Sequence, residues 1–224
     1  MSFIGRLTSV IFAFVLLLSS SLAAAAQESG TPLVIKRAST ESYADILRKV
    51  KETDSSVNYK EFRLAYADSA DYKPSADPQI RRAMFAAIAV KDNAKAAELA
   101  EAILKNRYVD IYGHQVAAVA YRELGDRGKS AVHGSLAREL IRSIVESGDG
   151  NTPETAMQLI SEEEEAIILQ ALDLKANKQE LMDQDGHTFD RVDAVDSSDV
   201  TVTLYFNLDV PVIKARQALA SAPK

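Results

Sequence analysis

One run of apolar residues at helical spacing, residues 79–147, decides the fold of this chain. It reads QIRRAMFAAIAVKDNAKAAELAEAILKNRYVDIYGHQVAAVAYRELGDRGKSAVHGSLARELIRSIVES. Within residues 93–105, Ala, Ile and Leu fall on one side of a helix and Lys and Glu on the opposite side. Residues 129–145 repeat this arrangement with apolar steps of three and four. The pattern predicts two amphipathic helices, each preceded by a shorter apolar helix and a tight polar break.

The two halves of this run are related by a fixed period. Three identical pairs lie 34 positions apart: Asp92 and Asp126, Lys95 and Lys129, Ala97 and Ala131. Because 34 residues is the period of the tetratricopeptide repeat, the sequence predicts two stacked helix-turn-helix units. The chain has no Trp, and the Pro that closes each consensus repeat is missing. Two repeats are too few to bury a solenoid core, so we expect another element to cap them.

The N-terminus has the three-part layout of a secretory signal peptide. Arg6 supplies a positive charge, residues 10–18 are apolar, and small residues with Ala-x-Ala patterns extend to Ala26. The apolar stretch is about half of the roughly 20 residues that a membrane-spanning helix needs. We therefore expect a signal peptide at residues 1–26, a mature chain from Gln27 without a stable membrane span, and a periplasmic or secreted location. An uncleaved anchor is the alternative.

Composition narrows the classes of function. The chain has no cysteine, which excludes a lipid-modified cysteine, disulfides and thiolate metal sites. The formal net charge of −6 becomes −7 once Arg6 is removed, and no run of Lys and Arg offsets it. Nucleic acid is therefore disfavoured as a partner. No cofactor is evident from the sequence.

Helical signals flank the central run on both sides. Residues 42–50 and 58–71 predict helices, and Asp77 followed by Pro78 predicts the start of the next one. After the glycine-rich loop at 147–151, Thr152 and Pro153 predict a short helix. Residues 161–174 predict a buried helix, with Ser161 as its N-cap and Glu164 as the capping-box partner.

In the C-terminal part, apolar residues recur at every second position instead of at helical spacing. Residues 180–182, 187–195 and 200–208 are separated by turn residues and predict an antiparallel meander of three strands. A last helix is predicted at 212–220. The predicted fold class is α+β in one domain, residues 27–224, with helices over about 42–174 and the meander over about 179–209.

Residues spread along most of the mature chain carry a family resemblance. They are Glu61-Phe62-Arg63-Leu64 with Tyr66, Ser69, Tyr72 and Pro74; His133 with Ser143-Ile144 and Ser147-Gly148-Asp149-Gly150; Ser161 with Glu164-Glu165; Gly186 with Phe189-Asp190; and Leu204-Tyr205-Phe206-Asn207. In order and spacing they resemble the DUF4919 family of exported bacterial proteins, over about residues 42–209. Ala166 departs from the pattern, which has an aromatic residue after the Glu pair. The resemblance implies export and a single domain, and it implies no reaction because the family's function is unknown.

Two histidines are the first candidate site. His114 and His133 lie on the two helices of the second predicted repeat, where antiparallel packing could bring them together. With Asp110, Glu164 or Glu165, such a pair would suit zinc or another divalent ion. The alternative is that each histidine hydrogen-bonds a neighbour, and the sequence has no His-Glu-x-x-His spacing to favour metal.

Three further groups of residues are binding candidates. Asp149 and Asn151 lie in a glycine-rich loop that suggests calcium or phosphate, although the full ligand pattern of either motif is missing. Glu164 and Glu165 could supply paired carboxylates for acid-base chemistry, or simply favour the start of a helix. Tyr66 and Tyr72 belong to an aromatic cluster that could pack in the core or anchor a peptide.

The first functional hypothesis is a non-catalytic, exported domain that binds a protein or peptide partner in the cell envelope through a helical repeat groove. It depends on the repeat and on the lack of a catalytic signature. The alternative hypothesis is a metal-dependent hydrolase or small-ligand-binding protein that uses His114, His133 and nearby carboxylates.

Overall fold

The computed structural model describes residues 41–221, which form two compact units, residues 41–146 and 147–221. The predicted signal peptide and a predicted short strand at residues 31–36 lie outside the described residues. Within the described part, no helix is both long and apolar enough to cross a membrane.

The first unit consists of six helices. They are α1 (Tyr43–Lys51), α2 (Tyr59–Asp68), α3 (Pro78–Ala89), α4 (Asn93–Asn106), α5 (Ile111–Glu123) and α6 (Arg127–Val145). The last four begin at an aspartate whose side chain accepts a backbone N–H of the first turn: Asp77, Asp92, Asp110 and Asp126. Such caps satisfy donors that a helix N-terminus otherwise leaves unbonded, so they mark where each helix starts.

Helices α3 to α6 pack in chain order. Each contacts the next, and α3 also contacts α5. Their shared core is rich in alanine, with Met84, Ile103 and Leu104 as its larger members. In addition, α2 packs on α6 and α1 packs on α2.

The second unit combines a small sheet with two helices. After a 3-10 turn at Pro153–Thr155 come β1 (Met157–Gln158), α7 (Glu163–Ala171), β2 (Lys175–Gln184), β3 (His187–Val195), β4 (Thr201–Asn207) and α8 (Asp209–Ala220). The strand order is β1-β4-β3-β2, with β1 parallel to β4 and the other pairs antiparallel. Asp185 and Gly186 both have positive φ, as a two-residue hairpin between β2 and β3 requires.

The α+β prediction is confirmed, and three details are corrected. The sheet has four strands and is mixed, because Met157 and Gln158 pair with the edge of β4 through a bridge too short to show periodicity. The helix predicted at 161–174 spans Glu163–Ala171, and Ser161 does not cap it. The last helix begins at Asp209, ahead of the predicted 212, because Pro211 fits its first turn.

Candidate functional site

The two histidines predicted to meet do so inside the first unit. His114 on α5 and His133 on α6 are buried, and their Nδ1 atoms lie 2.9 Å apart. The Nε2 atom of His114 is 2.8 Å from the carbonyl oxygen of Tyr108. The Nε2 atom of His133 is 3.3 Å from a carboxylate oxygen of Glu101. All four ring nitrogens therefore face protein groups, and a metal ion would have to displace one of these contacts.

Aromatic rings enclose the histidine pair. The His133 ring stacks on Tyr121, with centroids 5.7 Å apart, and the edge of Tyr108 meets His114 at 5.0 Å. Burial, together with the nearby His133, lowers the pKa of His114 to about 4, although the hydrogen bond to the Tyr108 carbonyl opposes this shift. Burial also lowers the pKa of His133, although the Glu101 carboxylate opposes this shift. Both imidazoles are therefore held in the neutral form at neutral pH.

Asp110, the third residue considered for a metal site, is the centre of a buried ion cluster. Its two carboxylate oxygens accept hydrogen bonds from Arg81 at 2.9 and 2.6 Å, and Arg107 lies 3.6 Å away. The Gly113 N–H donates to it at 2.7 Å. Burial raises the pKa of Asp110, but Arg81 and Arg107 together lower it below its ordinary value. Asp110 is thus an ionised cap that joins α3 to α5.

Glu164 and Glu165 lie in the second unit, at the start of α7, and both are buried. An oxygen of Glu164 accepts the Ile160 N–H at 2.8 Å, which closes the turn before α7. The predicted partner for that oxygen was the N–H of Ser161. The Ser161 hydroxyl is instead buried and has no hydrogen-bond partner among residues 41–221. Glu164 is therefore structural.

Glu165 forms a carboxyl pair with Asp190 of β3. The side chains hydrogen-bond each other, and the Gln179 amide donates to Glu165. Burial raises the pKa of Glu165 well above its ordinary value, and the charge of Asp190 raises it further. Burial also raises the pKa of Asp190, while the Glu165 hydrogen bond lowers it. Two ionised carboxylates cannot hydrogen-bond each other, so Glu165 keeps its proton and donates a hydrogen bond to Asp190.

The glycine-rich loop is held by its own side chains. Asp149 accepts hydrogen bonds from the Asn151 N–H at 2.9 Å and from the Thr155 hydroxyl at 2.5 Å. Asp149 and Asn151 are both exposed. A Cβ on Gly148 would lie 2.3 Å from the Thr155 carbonyl oxygen, so this position requires a glycine for close backbone approach. These contacts account for the loop without a bound ion.

The two candidate tyrosines, Tyr66 on α2 and Tyr72 in the segment after it, pack together. Tyr66 is fully buried, its ring centroid is 5.7 Å from that of Tyr72, and its hydroxyl accepts the Lys73 N–H at 2.9 Å. Tyr72 is half-buried. Tyr66 is consequently a core residue, and only Tyr72 has surface that a partner could reach.

Several residues that shape these sites were missed from the sequence. The sequence pattern places Glu101 on the charged side of a helix, does not single out Tyr121 or Arg81, and places Asp190 in a strand and among the residues that carry the family resemblance. The sequence signal for Asp190 is the alternation along β3, which places it on the same face of the strand as the buried Val192. Within residues 41–221, no three His, Cys, Asp or Glu side chains converge in a way that could hold a metal ion.

The fold defines an α+β protein in which a helical unit precedes a unit with a four-stranded mixed sheet. The chain belongs to the DUF4919 family, described as a domain of unknown function, which matches residues 32–216. No curated protein and no solved structure matches the chain. Family membership confirms the resemblance and leaves the activity to be inferred from the structure.

Proposed function

We propose that the helical unit is a non-catalytic interaction module that binds a protein or peptide partner in the cell envelope. The observation that carries this proposal is that two helix pairs, α3/α4 and α5/α6, pack in chain order. The aspartate caps of their second helices, Asp92 and Asp126, lie 34 residues apart. Stacked helix pairs of this kind form the extended binding surfaces of helical repeat proteins. The envelope location follows from the export that residues 1–26 predict.

The surface best suited to a partner is formed by the first helices of the two pairs. We define the α3/α5 face by Arg82 and Phe85 on α3 and Tyr112 and Gln115 on α5. Phe85 and Tyr112 are half-buried and meet edge to face, with centroids 5.4 Å apart. Half-buried aromatic residues supply large contact area at little entropic cost, and they dominate many interfaces.

Charge indicates the chemistry of the partner. Helix α3 has no acidic residue in a chain whose formal net charge is −6. Asp110 balances the charge of buried Arg81, so Arg82 supplies the exposed positive charge of this helix. Arg82 is exposed, and the Arg81 guanidinium lies 5.3 Å from the Tyr112 ring centroid. The face therefore favours a segment that places a carboxylate beside an apolar side chain.

Site-specific photo-cross-linking in the native cell tests this proposal. A photoreactive residue replaces Arg82 or Gln115 in the full chain, and the control position is Glu98, which is exposed on α4. We expect one discrete adduct from Arg82 and Gln115 and none from Glu98. Equal adducts at all three positions, or none, would contradict the α3/α5 face.

A matched pair of charge reversals then tests the chemistry. Arg82→Glu should weaken binding of the identified partner by about tenfold, which corresponds to about 1.4 kcal/mol. Arg138→Glu makes the same exposed change on α6 and should have no effect. Equal losses from the two variants would show that only net charge matters.

The alternative hypothesis, a metal-dependent hydrolase or small-ligand-binding protein, would need His114 and His133 as ligands. Their ring nitrogens face protein groups instead. Metal content of the purified chain tests it directly. Stoichiometric metal that is lost in His114→Ala and His133→Ala would favour the alternative over the interaction module.

A further inference from the structure

The hydrogen-bond chain through the two histidines fixes where their protons lie. A carbonyl oxygen can only accept, so His114 Nε2, at 2.8 Å from the Tyr108 oxygen, carries a hydrogen. A neutral imidazole has one N–H, and therefore His114 Nδ1 is an acceptor. The hydrogen in the 2.9 Å contact between the two Nδ1 atoms must then belong to His133.

This assignment leaves two acceptors facing each other at the other end of the chain. With its hydrogen on Nδ1, neutral His133 presents the Nε2 lone pair to Glu101 Oε1 at 3.3 Å. The Tyr121 hydroxyl donates to the same Glu101 oxygen at 3.0 Å, so it supplies no hydrogen to His133. Two facing acceptors repel each other, and one added proton converts the contact into a charge-assisted hydrogen bond.

We propose that His133 Nε2 and the Glu101 carboxylate form a proton-binding site that links α4 to α6. These are the second helices of the two stacked pairs, so the proton joins one pair to the next. The ligand is a proton from solvent, and it reaches the site because the Glu101 side chain is 44% exposed. This site does not depend on the proposed partner or on the α3/α5 face.

The charged and titratable groups around His133 come from three helices. Glu101 on α4 favours the imidazolium, and Lys129 on α6 disfavours it. Helix α5 contributes Tyr121, whose ring stacks on His133, and neutral His114.

On α2, which also packs against α6, the titratable Tyr59 faces Glu139 and Arg142, further along α6 than His133. Because burial outweighs Glu101 and lowers the pKa of His133, the site binds its proton at a lower pH than a free histidine would.

Nitrogen-15 NMR of the full chain tests the proposal, because it reports which ring nitrogen carries hydrogen. At neutral pH we expect His114 with its hydrogen on Nε2 and His133 with its hydrogen on Nδ1, the less common tautomer of free histidine. On acidification, His133 should become an imidazolium while His114 stays neutral. A His133 hydrogen on Nε2 at neutral pH would overturn the proposal.

Two conservative variants test the role of Glu101. Glu101→Gln removes the carboxylate and supplies an amide donor to Nε2, so the His133 titration midpoint should move to lower pH by about one pH unit. Glu98→Gln makes the same change on the exposed side of α4 and should leave that midpoint unchanged. Equal midpoints in wild type and Glu101→Gln would also overturn the proposal.

Discussion

The buried cluster around Asp110 gives the sharpest prediction about stability. Asp110→Ala removes the counter-charge of two buried arginines, Arg81 and Arg107, and the cap of α5. Breaking a buried ion pair costs about 3–5 kcal/mol, because the remaining charge stays desolvated. Loss of a cap costs about 1 kcal/mol. These terms share one side chain and do not simply add, so we expect a loss of about 4 kcal/mol in the free energy of unfolding.

Urea unfolding at neutral pH measures this loss, with two matched controls. Asp92→Ala and Asp126→Ala remove the same type of cap from α4 and α6, where Asp92 is exposed and Asp126 is half-buried. Each should cost about 1 kcal/mol. Asp110→Asn keeps an oxygen for the cap and removes only the charge, so it should fall between the two classes. A cost for Asp110→Ala no greater than that of the controls would refute the buried-cluster argument.

Three other predictions concern pH and backbone fit. Because the folded pKa of His114 is about 4, against about 6.5 when unfolded, stability should fall by about 3 kcal/mol as the pH drops through this window. The fall should be smaller in His114→Gln, and an equal fall in both chains would contradict the assignment. The pH dependence that Glu165 contributes has the opposite sign. Because its pKa is raised in the folded chain, its contribution to stability is present at low pH and is lost as the pH rises. Glu165→Gln should therefore show less alkaline destabilisation than wild type in hydrogen exchange of β3, and equal alkaline losses would exclude the shared proton. Gly148→Ala should cost about 3 kcal/mol or more by urea unfolding, whereas Gly128→Ala, which meets nothing closer than 3.6 Å in a helix, should be neutral or stabilising. Similar effects of the two glycine substitutions would show that the close Thr155 carbonyl does not restrict the side chain at position 148.

Local signals in the sequence predicted most of the helices and strands. Asp77 followed by Pro78 marked one helix start, and the alternation in residues 200–208 marked β4, because caps and periodicity depend only on near neighbours. The Ser161 cap was wrong: Glu164 accepts the N–H of Ile160, one residue before the predicted donor Ser161, and no side chain caps the helix. That choice is set by tertiary packing, which no short window of sequence records.

The sites were predicted less completely than the fold. The meeting of His114 and His133 followed from helix pairing, since both lie on the helices of one predicted hairpin. By contrast, Arg81 and Asp110 are 29 residues apart, and no local rule selects this carboxylate for this guanidinium. Glu165 and Asp190 were hidden for a similar reason. A strand pattern identifies the buried face, but it does not identify which helix residue packs against it.

The proton shared by Glu165 and Asp190 means that folding changes the number of protons bound by the chain. Between the ordinary glutamate pKa and the raised one, the unfolded chain leaves Glu165 ionised while the folded chain holds a proton there. Folding in that interval draws a hydrogen ion out of the buffer. Calorimetric unfolding enthalpies should therefore vary with the ionisation heat of the buffer chosen. In the same pH interval, electrophoresis of the native chain should show one negative charge fewer than the formal value, which is −6 for the full sequence and −7 without residues 1–26.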